Sequence, residues 1–472
     1  MFRPENAQNE IQFLDRNDAK KYTWNSLNLL IPPTVYPPRE DTELLHGVLE
    51  SIKPFGSHKL LEIGSGSGAL SISAAKQGWN VHACDINPYA VAATRHNANE
   101  ANVEIDVIEG GLGPSKEEHV MHAWDSGTYD MVLWNMPYIP PEEIGDQLLG
   151  PLEEAALVDT HPEGLLSVFA RTMAKNKLCK MTGIAILVCR EHVGWKRSID
   201  ILRQSGLAAR IVKTQTFDDN ESIHVIAAWH PFVTSKHHQV QEIDSTNAEM
   251  LRGSYTVGDS LIAAVQTDGR GRHGNDWQDH PQSFKGSWIL NPENLLTITP
   301  KKQLQVAHEI SCALKLNEIQ VKKMLIKWPN DLLLRLEENQ MWRKYGGILF
   351  QSFSKGEEQR VVLGVGINMK QQGLVQGQGA IEEIGIDHSS SELFTILNAV
   401  VASMFENKHS ALEGVNNDYL DSKYILSKCI YRNKLYSLES VSSHGLILMD
   451  EAEQKVSIDD DVNLDWINLH PQ

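Results

Sequence analysis

Between Lys59 and His230 the sequence alternates short apolar segments with helical ones, and this alternation constrains the fold more than any other feature. KLLEIG, WNVHACDI, YDMVLWN, GIAILVCR and IHVIAAWH are strand-like, while ALSISAAKQG and YAVAATRHNANEAN carry helical patterns. Strands that alternate with helices form parallel sheets with helices packed on both faces. We therefore expect an α/β domain over residues 20–232, built on a doubly wound parallel sheet.

The alternation stops at a polar segment, PFVTSKHHQVQ, which predicts a linker over Pro231–Gln241. Beyond it the strand candidates outnumber the long helices, which favours an α+β domain with a mixed sheet over residues 240–423. The tail holds the short strand candidates CIYRNKLY, GLILMDE and QKVSI, which favour a small β-barrel-like domain over residues 424–472. A length of 472 residues fits about three domains.

Composition excludes several classes of protein. The chain has 61 acidic and 43 basic residues, a net charge of −18, so it should repel nucleic acid, and we expect no DNA partner. Its five scattered cysteines form no CxxC pair, which argues against disulfides and against a structural metal site. The polar start MFRPENAQNEIQ is unlike a signal peptide, and no apolar run approaches the ~20 residues of a membrane span. We expect a cytoplasmic protein.

A glycine loop follows the first strand of the α/β domain. LLEIGSGSGAL places Gly64, Gly66 and Gly68 between a strand and a helix, and Asp85 ends the next strand about twenty residues later. Such a turn lets a ligand approach a helix N-terminus, and the acidic residue can accept ribose hydroxyls. The spacing is GxGxG rather than the GxGxxG of dinucleotide enzymes, so a plain tight turn with an incidental Asp85 remains the alternative.

The segment WNMPY follows the strand YDMVLWN directly. The amide of Asn135 at a strand end, held by Pro137 and followed by the aromatic ring of Tyr138, can hydrogen-bond a planar amide and stack on it. Together with the glycine loop, this segment predicts a site that holds a nucleoside-type cofactor next to an amide.

These features resemble class I methyltransferases that use S-adenosylmethionine and, more narrowly, the N5-glutamine methyltransferases of peptide release factors. The PRxDTE stretch of that family is matched here by Pro38, Arg39, Asp41, Thr42 and Glu43. Its NPPY signature is matched by Asn135, Met136, Pro137 and Tyr138. Two departures are Met136 in place of the first proline and EGGLGP, residues 109–114, where relatives carry an acidic residue near adenine.

The resemblance implies a cofactor site and an acceptor site. The residues that would bind S-adenosylmethionine are Glu62, Gly64, Gly66, Gly68 and Asp85. The residues that would hold the acceptor amide, on a peptide release factor, are Asn135, Pro137 and Tyr138. Methyl transfer needs mainly in-line positioning and loss of amide solvation. The alternative is a methyltransferase fold that serves only as a scaffold.

The second half of the chain carries four polar motifs within about 125 residues. They are DSTN (Asp244–Asn247), QTDGRGRHGNDW (Gln266–Trp277), KWPND (Lys327–Asp331) and GVGINM (Gly364–Met369). Glycine lets backbone approach a ligand closely, and arginine presents a planar fork of donors to phosphate or carboxylate. Each motif alone could be structural, as a turn, a helix cap or a solvated loop.

In this order the motifs resemble those of biotin protein ligases, including a K-x-x-G-I-L stretch at Lys344, Gly347, Ile348 and Leu349. The resemblance implies that biotin and ATP form biotinyl-5′-adenylate, with Mg²⁺ on the phosphates, and that biotin then passes to a lysine of a carboxyl carrier protein. Repression of transcription is not expected, since the winged helix of repressor-type ligases is absent. A lipoate ligase on the same fold is the alternative, and a homodimer is possible.

The resemblance also implies roles for individual residues. The cations that stabilise the transition state would be Arg270, Arg272, Lys327 and Lys344. Biotin would contact Ser245, Thr246, Asn247, Gln266, Gly269, Gly271 and Lys327. ATP would contact Asn330, Asp331 and Asn368. Trp277 and Trp288 would wall the pocket.

Overall fold

The computed structural model describes residues 20–112, 129–139, 157–190, 197–217, 222–272, 277–315, 317–356, 358–409, 412, 424–461 and 463–468. Two units are distinguished, residues 1–231 with 407–416 and residues 232–406 with 417–472. The finer division into domains at 240 and 424 stays a prediction. No helix within the described ranges is long and apolar enough to cross a membrane.

The first unit alternates strands and helices along most of its length. Its elements are β1 (Lys20–Trp24), β2 (Leu27–Ile31), α1 (Glu40–Ser51), β3 (Lys59–Ile63), α2 (Ala69–Lys76), β4 (Asn80–Asp85), α3 (Pro88–Glu100), β5 (Ile105–Glu109), β6 (Tyr129–Asn135), α4 (Leu165–Ala174), β7 (Cys179–Arg190), α5 (Ser198–Gln204), β8 (Ala208–Thr216) and β9 (Ser222–Trp229). Its main sheet has the order β5-β4-β3-β6-β7-β9-β8.

The strands β5, β4, β3, β6 and β7 are mutually parallel, as the alternation predicts. β6 is buried at six of its seven positions, and the apolar residues of β7 pack against Phe169 and Met173 of α4 in one core. Runs buried on both faces are typical of parallel sheets covered by helices. The order of strands reverses between β3 and β6, which creates a crevice at the carboxyl ends of these two strands.

The end of this sheet departs from the prediction of a wholly parallel arrangement. β9 pairs antiparallel with both β7 and β8. β8 ends at Thr216 and β9 begins at Ser222, so the connection is too short for the crossover of a dozen or more residues that parallel strands require.

Residues 20–31 form two strands that the strand–helix alternation beginning at Lys59 does not include. β1 and β2 form an antiparallel hairpin whose turn residues, Asn25 and Ser26, have φ values of 43° and 65°. Two consecutive positive φ angles are the geometry of a tight two-residue hairpin turn. Its apolar residues Trp24, Leu27 and Leu29 are buried.

The second unit combines a mixed sheet with a smaller antiparallel one. Its elements are β10 (His237–Ile243), α6 (Thr246–Arg252), β11 (Ser260–Gln266), β12 (Ser283–Leu290), α7 (Pro300–Leu314), α8 (Glu318–Lys323), β13 (Met324–Lys327), β14 (Asp331–Leu334), β15 (Arg343–Lys355), β16 (Glu358–Asn368), α9 (Ser390–Phe405), β17 (Lys428–Tyr431), β18 (Lys434–Val441), β19 (Leu446–Met449), β20 (Lys455–Ile458) and β21 (Leu464–Trp466). The larger sheet has the order β10-β11-β12-β16-β15-β14-β13.

In the larger sheet β10 and β11 are parallel, and every other neighbouring pair is antiparallel. The mixed sheet is thus as predicted, but the linker is partly wrong, because β10 begins at His237 inside it. The strand HHQVQEI lies at the sheet edge with every side chain exposed or half-buried, so it lacks the apolar pattern that identifies strands in sequence.

The strands of residues 424–468 form an antiparallel sheet in the order β20-β19-β18-β17-β21. Among the described residues no pairing joins its two outer strands, so closure into a barrel is not confirmed.

A buried carboxylate in the first unit, Asp130 on β6, connects three strands. It accepts hydrogen bonds from the backbone N–H groups of Ser57 and Lys59 at 3.0 and 3.1 Å, and it pairs with Lys180 Nζ on β7 at 2.7 Å. Burial alone would raise the pKa of Asp130, but the bonds from Lys180 and Ser57 outweigh it and hold that pKa below its usual value.

We predict that Asp130→Ala lowers the free energy of unfolding of the first unit by about 2 kcal/mol, because two backbone N–H groups lose their acceptor and Lys180 loses its counter-charge. Hydrogen–deuterium exchange of the β3, β6 and β7 amides measures the effect. Asp106→Ala, at an exposed position of β5, is the matched control and should leave exchange unchanged. Equal protection in both variants would contradict a structural role for Asp130.

Candidate functional site

The crevice of the first unit brings together the two motifs predicted there. β3 and β6 are neighbouring parallel strands, and Ile63 pairs with Trp134 in their register. The glycine loop follows β3 directly, and Asn135 is the last residue of β6. Their side chains therefore belong to one edge of the sheet, at the switch in strand order where α/β proteins bind ligands.

The glycine loop is a strained turn that only glycine adopts easily. Gly64 and Gly66 have φ values of 71° and 54°. The N–H of Gly66 donates to Asp85 Oδ2 at 2.8 Å, and the N–H of Asn87 donates to Oδ1 at 2.9 Å. Burial raises the pKa of Asp85, although these backbone bonds favour its charged form. Asp85 therefore holds the turn in shape.

Glu62 and Gly68 lie at the base of this loop. Glu62 on β3 is 3% exposed and accepts a hydrogen bond from the hydroxyl of Ser71 on α2. Burial raises the pKa of Glu62 to about 8, even though the bond from Ser71 favours the charged form. Gly68 precedes α2 with a φ of 81°, and a Cβ there would come within 2.9 Å of Thr94 on α3.

Asn135 is held by a residue from the other family motif, Asp41 on α1. The side chain of Asn135 hydrogen-bonds the Asp41 carboxyl, which also accepts from the N–H of Thr42 at 2.6 Å. Burial raises the pKa of Asp41, against these hydrogen bonds. Asn135 Oδ1 is buried and has no hydrogen-bond partner among the described residues. A buried acceptor without a donor is uncommon, so this atom is a candidate for contact with a ligand N–H.

The neighbours of Asn135 complete this edge. Met136 is 5% exposed and packs against Cys189 of β7, so the side chain that replaces the family's proline fills the core. Pro137 is half-buried, and Tyr138 packs against the small cluster formed by Ile139, Leu157 and Val158.

The second unit contains a pocket of about 390 Å³, within the usual range for small-molecule sites. It collects residues from all the motifs of this half, from β12, and from the C-terminal sheet segment. Its polar and charged lining residues are Ser245, Thr246, Asn247, Gln266, Arg270, Arg272, Lys285, Lys327, Asn330, Asp331, Lys344 and Asp461.

The cationic side of the pocket is organised around Asp331. Its Oδ1 lies 2.7 Å from Lys344 Nζ, and its Oδ2 lies 3.2 Å from Lys327 Nζ. Burial alone would raise the pKa of Asp331, but Lys344 and Lys327 outweigh burial, and the pKa is lower than usual. Asn330 supports this arrangement because its Nδ2 donates to the carbonyl of Ile348 at 2.7 Å. Two ammonium groups are thereby held close together at one side of the pocket.

The other side of the pocket is neutral. The N–H and Oγ1–H of Thr246 both reach Gln266 Oε1, at 2.8 and 2.9 Å. Ser287 Oγ lies 2.8 Å from Thr246 Oγ1 and 2.6 Å from Asn247 Oδ1. Asn247 Nδ2 donates to Gln351 Oε1 at 2.8 Å, so Oδ1 is the atom that faces Ser287. Two hydroxyl protons thus serve three oxygen–oxygen contacts, and the network can accept a further N–H from a ligand.

The loop that follows β11 and carries Arg270 and Arg272, here called the arginine loop, contributes to one wall of the pocket. Arg270 is exposed and pairs with Asp268 at 3.3 Å, while Arg272 pairs with Asp461 of the C-terminal segment at 3.1 Å. The N–H of Trp277 donates to the carbonyl of Gly269 at 2.9 Å and so closes the loop at its base. The indole of Trp277 packs flat against β16, because a Cβ at Gly366 would lie 2.6 Å from the ring.

Most of the predicted residues of this half line the pocket, with three exceptions. Gly271 is in the lining, but Gly269 and Asn368 are not. Asn368 Nδ2 donates to the carbonyl of Gly379 at 3.2 Å, and its Oδ1 is buried without a partner. Trp288 is wrong as a pocket wall: it is fully buried, stacks on Phe394 and donates to Asn398. Neighbouring residues of a strand point to opposite faces, so Ser287 faces the pocket network and Trp288 the core.

Two charged residues of the pocket are missing from the sequence interpretation. Asp461 lies nearly a hundred residues beyond the last motif, and no pattern in the sequence connects it with the arginine loop. Lys285 could have been found from the sequence, because a single lysine stands inside the strand SFKGSWIL, whose other residues are uncharged.

Two family models match separate ranges of the chain. Residues 40–189 match the family model of the methyltransferase small domain, and residues 235–368 match that of the biotin/lipoate A/B protein ligase family.

Individual relatives fall into the same two groups. A protein of Methanocaldococcus jannaschii with the provisional name protein N5-glutamine methyltransferase is 39% identical over 118 residues, which is 25% of this chain and 54% of that protein. The biotin–[acetyl-CoA-carboxylase] ligase of Paracoccus denitrificans is 33% identical over 129 residues, 27% of this chain and 51% of that protein. The chain thus spans about half the length of these curated relatives.

Among solved structures, the biotin protein ligase of Aquifex aeolicus in complex with biotin and ATP aligns with a TM-score of 0.38 and 20% identity, over 49% of this chain and 97% of that one. The chain is thus similar to the methyltransferase small domain over residues 40–189 and to the biotin/lipoate A/B protein ligase family over residues 235–368.

Proposed function

We propose that the second unit is a biotin–carboxyl carrier protein ligase. The observation that carries this proposal is the division of one pocket into a neutral side with spare hydrogen-bond acceptors and a side with paired ammonium groups. A ligand with neutral N–H groups at one end and an anion at the other fits both sides. Biotin activated by ATP has this distribution of charge.

The proposed reaction has two steps. The carboxylate of biotin attacks the α-phosphate of ATP, which forms biotinyl-5′-adenylate and releases pyrophosphate. The amine of a carrier lysine then attacks the acyl carbon, an amide forms, and AMP leaves. Negative charge develops on the phosphate in the first step, and cations held in fixed positions stabilise it best.

Lys327 and Lys344 would supply that stabilisation because Asp331 already holds both ammonium groups in place. Arg270 and Arg272, on the covering loop, would add charge once the loop contacts phosphate. Asn330 and Asp331 would border the nucleotide, and magnesium would bind with the phosphates of ATP. Asn368 and Gly269, predicted to contact ATP and biotin, lie outside the pocket lining and have weaker support.

The neutral side favours biotin over lipoate. The ureido ring of biotin has two N–H donors, and the network of Thr246, Ser287 and Asn247 has more acceptors than protons. The dithiolane ring of lipoate has no donor. A site that offers acceptors to a ligand without donors leaves polar groups unpaired, which costs binding energy.

We further propose that the first unit is a protein-glutamine N-methyltransferase that uses S-adenosylmethionine. The buried Asn135 Oδ1, which has no partner in the described part of the chain, can accept the N–H of a carboxamide, and Tyr138 follows three residues later. Glu62 and Asp85 would provide carboxyl groups that interact with the cofactor, and the glycine turn would let the cofactor approach the backbone closely. A peptide release factor is the proposed acceptor, and a carboxyl carrier protein is the proposed partner of the ligase. None of the five cysteines forms a disulfide, which agrees with the proposed cytoplasmic setting.

Lys344→Met tests the ligase. The variant should form biotinyl-adenylate about 100-fold more slowly, because it removes one of the two fixed ammonium groups while Lys327 still neutralises Asp331. Biotin-dependent pyrophosphate exchange measures the first step, and labelled biotin on a carrier domain measures the second. Lys355→Met, an exposed lysine on the same strand, is the matched control and should behave as wild type. Transfer of lipoate in place of biotin, or full activity of Lys344→Met, would refute the proposal.

Asn135→Ala tests the methyltransferase. Transfer of a labelled methyl group from S-adenosylmethionine to a release factor should fall at least 100-fold, because the acceptor amide loses its hydrogen-bond partner. Cofactor binding should persist, since Asn135 is outside the cofactor set, and thermal stabilisation of the first unit by S-adenosylmethionine measures it. Asn99→Ala, exposed on α3, is the control. Wild-type transfer no higher than that of Asn135→Ala would favour the scaffold alternative.

Glu62 predicts a pH dependence of cofactor binding. With a pKa of about 8, its carboxyl carries a proton at pH 7 in the free protein. The cationic cofactor favours the charged carboxylate, so binding should release a proton, and affinity should rise with pH until about pH 8. Calorimetry in buffers of different ionisation enthalpy measures the proton. Glu62→Gln should abolish both effects, and Glu104→Gln, at an exposed position, should keep them.

A further inference from the structure

β12 contains a charged residue where none is expected. All eight residues of Ser283–Leu290 are buried, and Lys285 among them is 1% exposed. A buried ammonium group costs several kcal/mol unless it is paired and hydrogen-bonded. The contacts of Lys285 therefore indicate what the residue does.

The ammonium group of Lys285 is surrounded by three oxygen atoms of the protein. Nζ donates to the carbonyls of Ala264 at 2.6 Å and His280 at 3.0 Å, and it lies 2.7 Å from Asp279 Oδ1 as an ion pair. Two of its three N–H donors are used by the carbonyl groups, whereas the contact with Asp279 Oδ1 is an ion pair without hydrogen-bond geometry. The protein's own oxygen atoms therefore hold the ammonium group in place at the border of the pocket.

The other oxygen of Asp279 continues the connection toward the pocket. Oδ2 accepts the backbone N–H of Gln266 at 3.0 Å, at the end of β11 where the arginine loop begins. Gln266 Oε1 in turn accepts both donors of Thr246. Because a backbone N–H can only donate, Oε1 must face Thr246, and the group that Gln266 presents elsewhere is its Nε2 amide.

The contacts form a closed ring. Thr246 Oγ1 contacts Ser287 Oγ at 2.8 Å, and Ser287 lies two residues beyond Lys285 on β12. Residues two apart on a strand share a face, so the ring returns to its origin. It passes through β12, the end of β11 and the start of α6, and its members Thr246, Gln266 and Lys285 line the pocket.

We propose that the Lys285–Asp279 pair positions Gln266 and Thr246 for the uncharged end of the acyl substrate. Both are positioning residues, since they act through Gln266, and the inference rests on the proposed ligase function. The pair fixes the backbone at Gln266 and with it the side-chain amide. The polar network is thereby formed before the substrate arrives, which lowers the cost of binding.

Lys285→Met tests the proposal, since it keeps the length of the side chain but removes the charge. We expect the KM for biotin to rise at least tenfold, with kcat and the KM for ATP within threefold of wild type. Lys285→Met/Asp279→Asn should recover most of the loss, because the side-chain carbonyl of the introduced amide would still accept from Gln266 and no unpaired carboxylate stays buried. Asp279→Ala should raise the KM for biotin again, and Lys355→Met is the matched control.

Hydrogen–deuterium exchange of the Gln266 and Thr246 amides gives a second readout that needs no substrate. Faster exchange at both sites in Lys285→Met, with thermal stability otherwise retained, supports the positioning role. Equal changes in the KM for biotin and for ATP, or unchanged exchange, would overturn it. If the wild-type protein uses no biotin, the ligase proposal fails, and amide exchange alone decides the role of Lys285.

Discussion

The carboxylate of Asp331, between the ammonium groups of Lys327 and Lys344, is the interaction on which the second site depends. Two half-buried cations this close would repel each other, and the lowered pKa of Asp331 reflects how strongly the trio favours the charged carboxylate. The trio keeps a net positive charge, so it still attracts an anion. Because the cations are already in position, little reorganisation is needed when a phosphate arrives, and in many enzymes such preorganisation accounts for most of the rate enhancement.

The site of the first unit differs from the trio of paired charges at Asp331, because some of its buried polar groups lack a full set of hydrogen-bond or charge partners among the described residues. Burial raises the pKa of Glu62 to about 8, and within the described ranges Asn135 Oδ1 has no donor. Asp41 is buried with a raised pKa and fixes Asn135 from α1. Buried groups of this kind cost stability, and they cluster at functional sites because a ligand can satisfy them.

The sequence predicts the features that depend on local pattern. Strand–helix alternation predicts the parallel sheet. Residues at or just beyond the ends of strands, such as Gly64, Asn135 and Lys327, belong to the two candidate sites because neighbouring strands end side by side. The sequence does not predict features that depend on contacts between residues far apart in the chain. Asp461 reaches Arg272 only through the packing of the C-terminal segment, and the antiparallel β9 depends on a short connection. The linker prediction at β10 is partly wrong because this edge strand lacks the apolar residues that identify strands. The prediction for Trp288 is wrong because the sequence does not show which face of the sheet a residue of β12 points to.

The two sites are complementary in charge to the ligands proposed for them. ATP is an anion, and the lining of the second pocket includes Arg270, Arg272, Lys327 and Lys344. The two lysines pair with the buried Asp331, and Arg272 pairs with Asp461. S-adenosylmethionine carries a sulfonium and an ammonium group, and the first crevice presents Glu62 and Asp85. Transfer of its methyl group to a neutral amide disperses positive charge, so fixed cations in the site would oppose the reaction. Carboxyl groups whose pKa is raised by burial can instead lose a proton when a cationic ligand binds. The two sites thus differ in polarity in the same sense as the two ligands proposed for them.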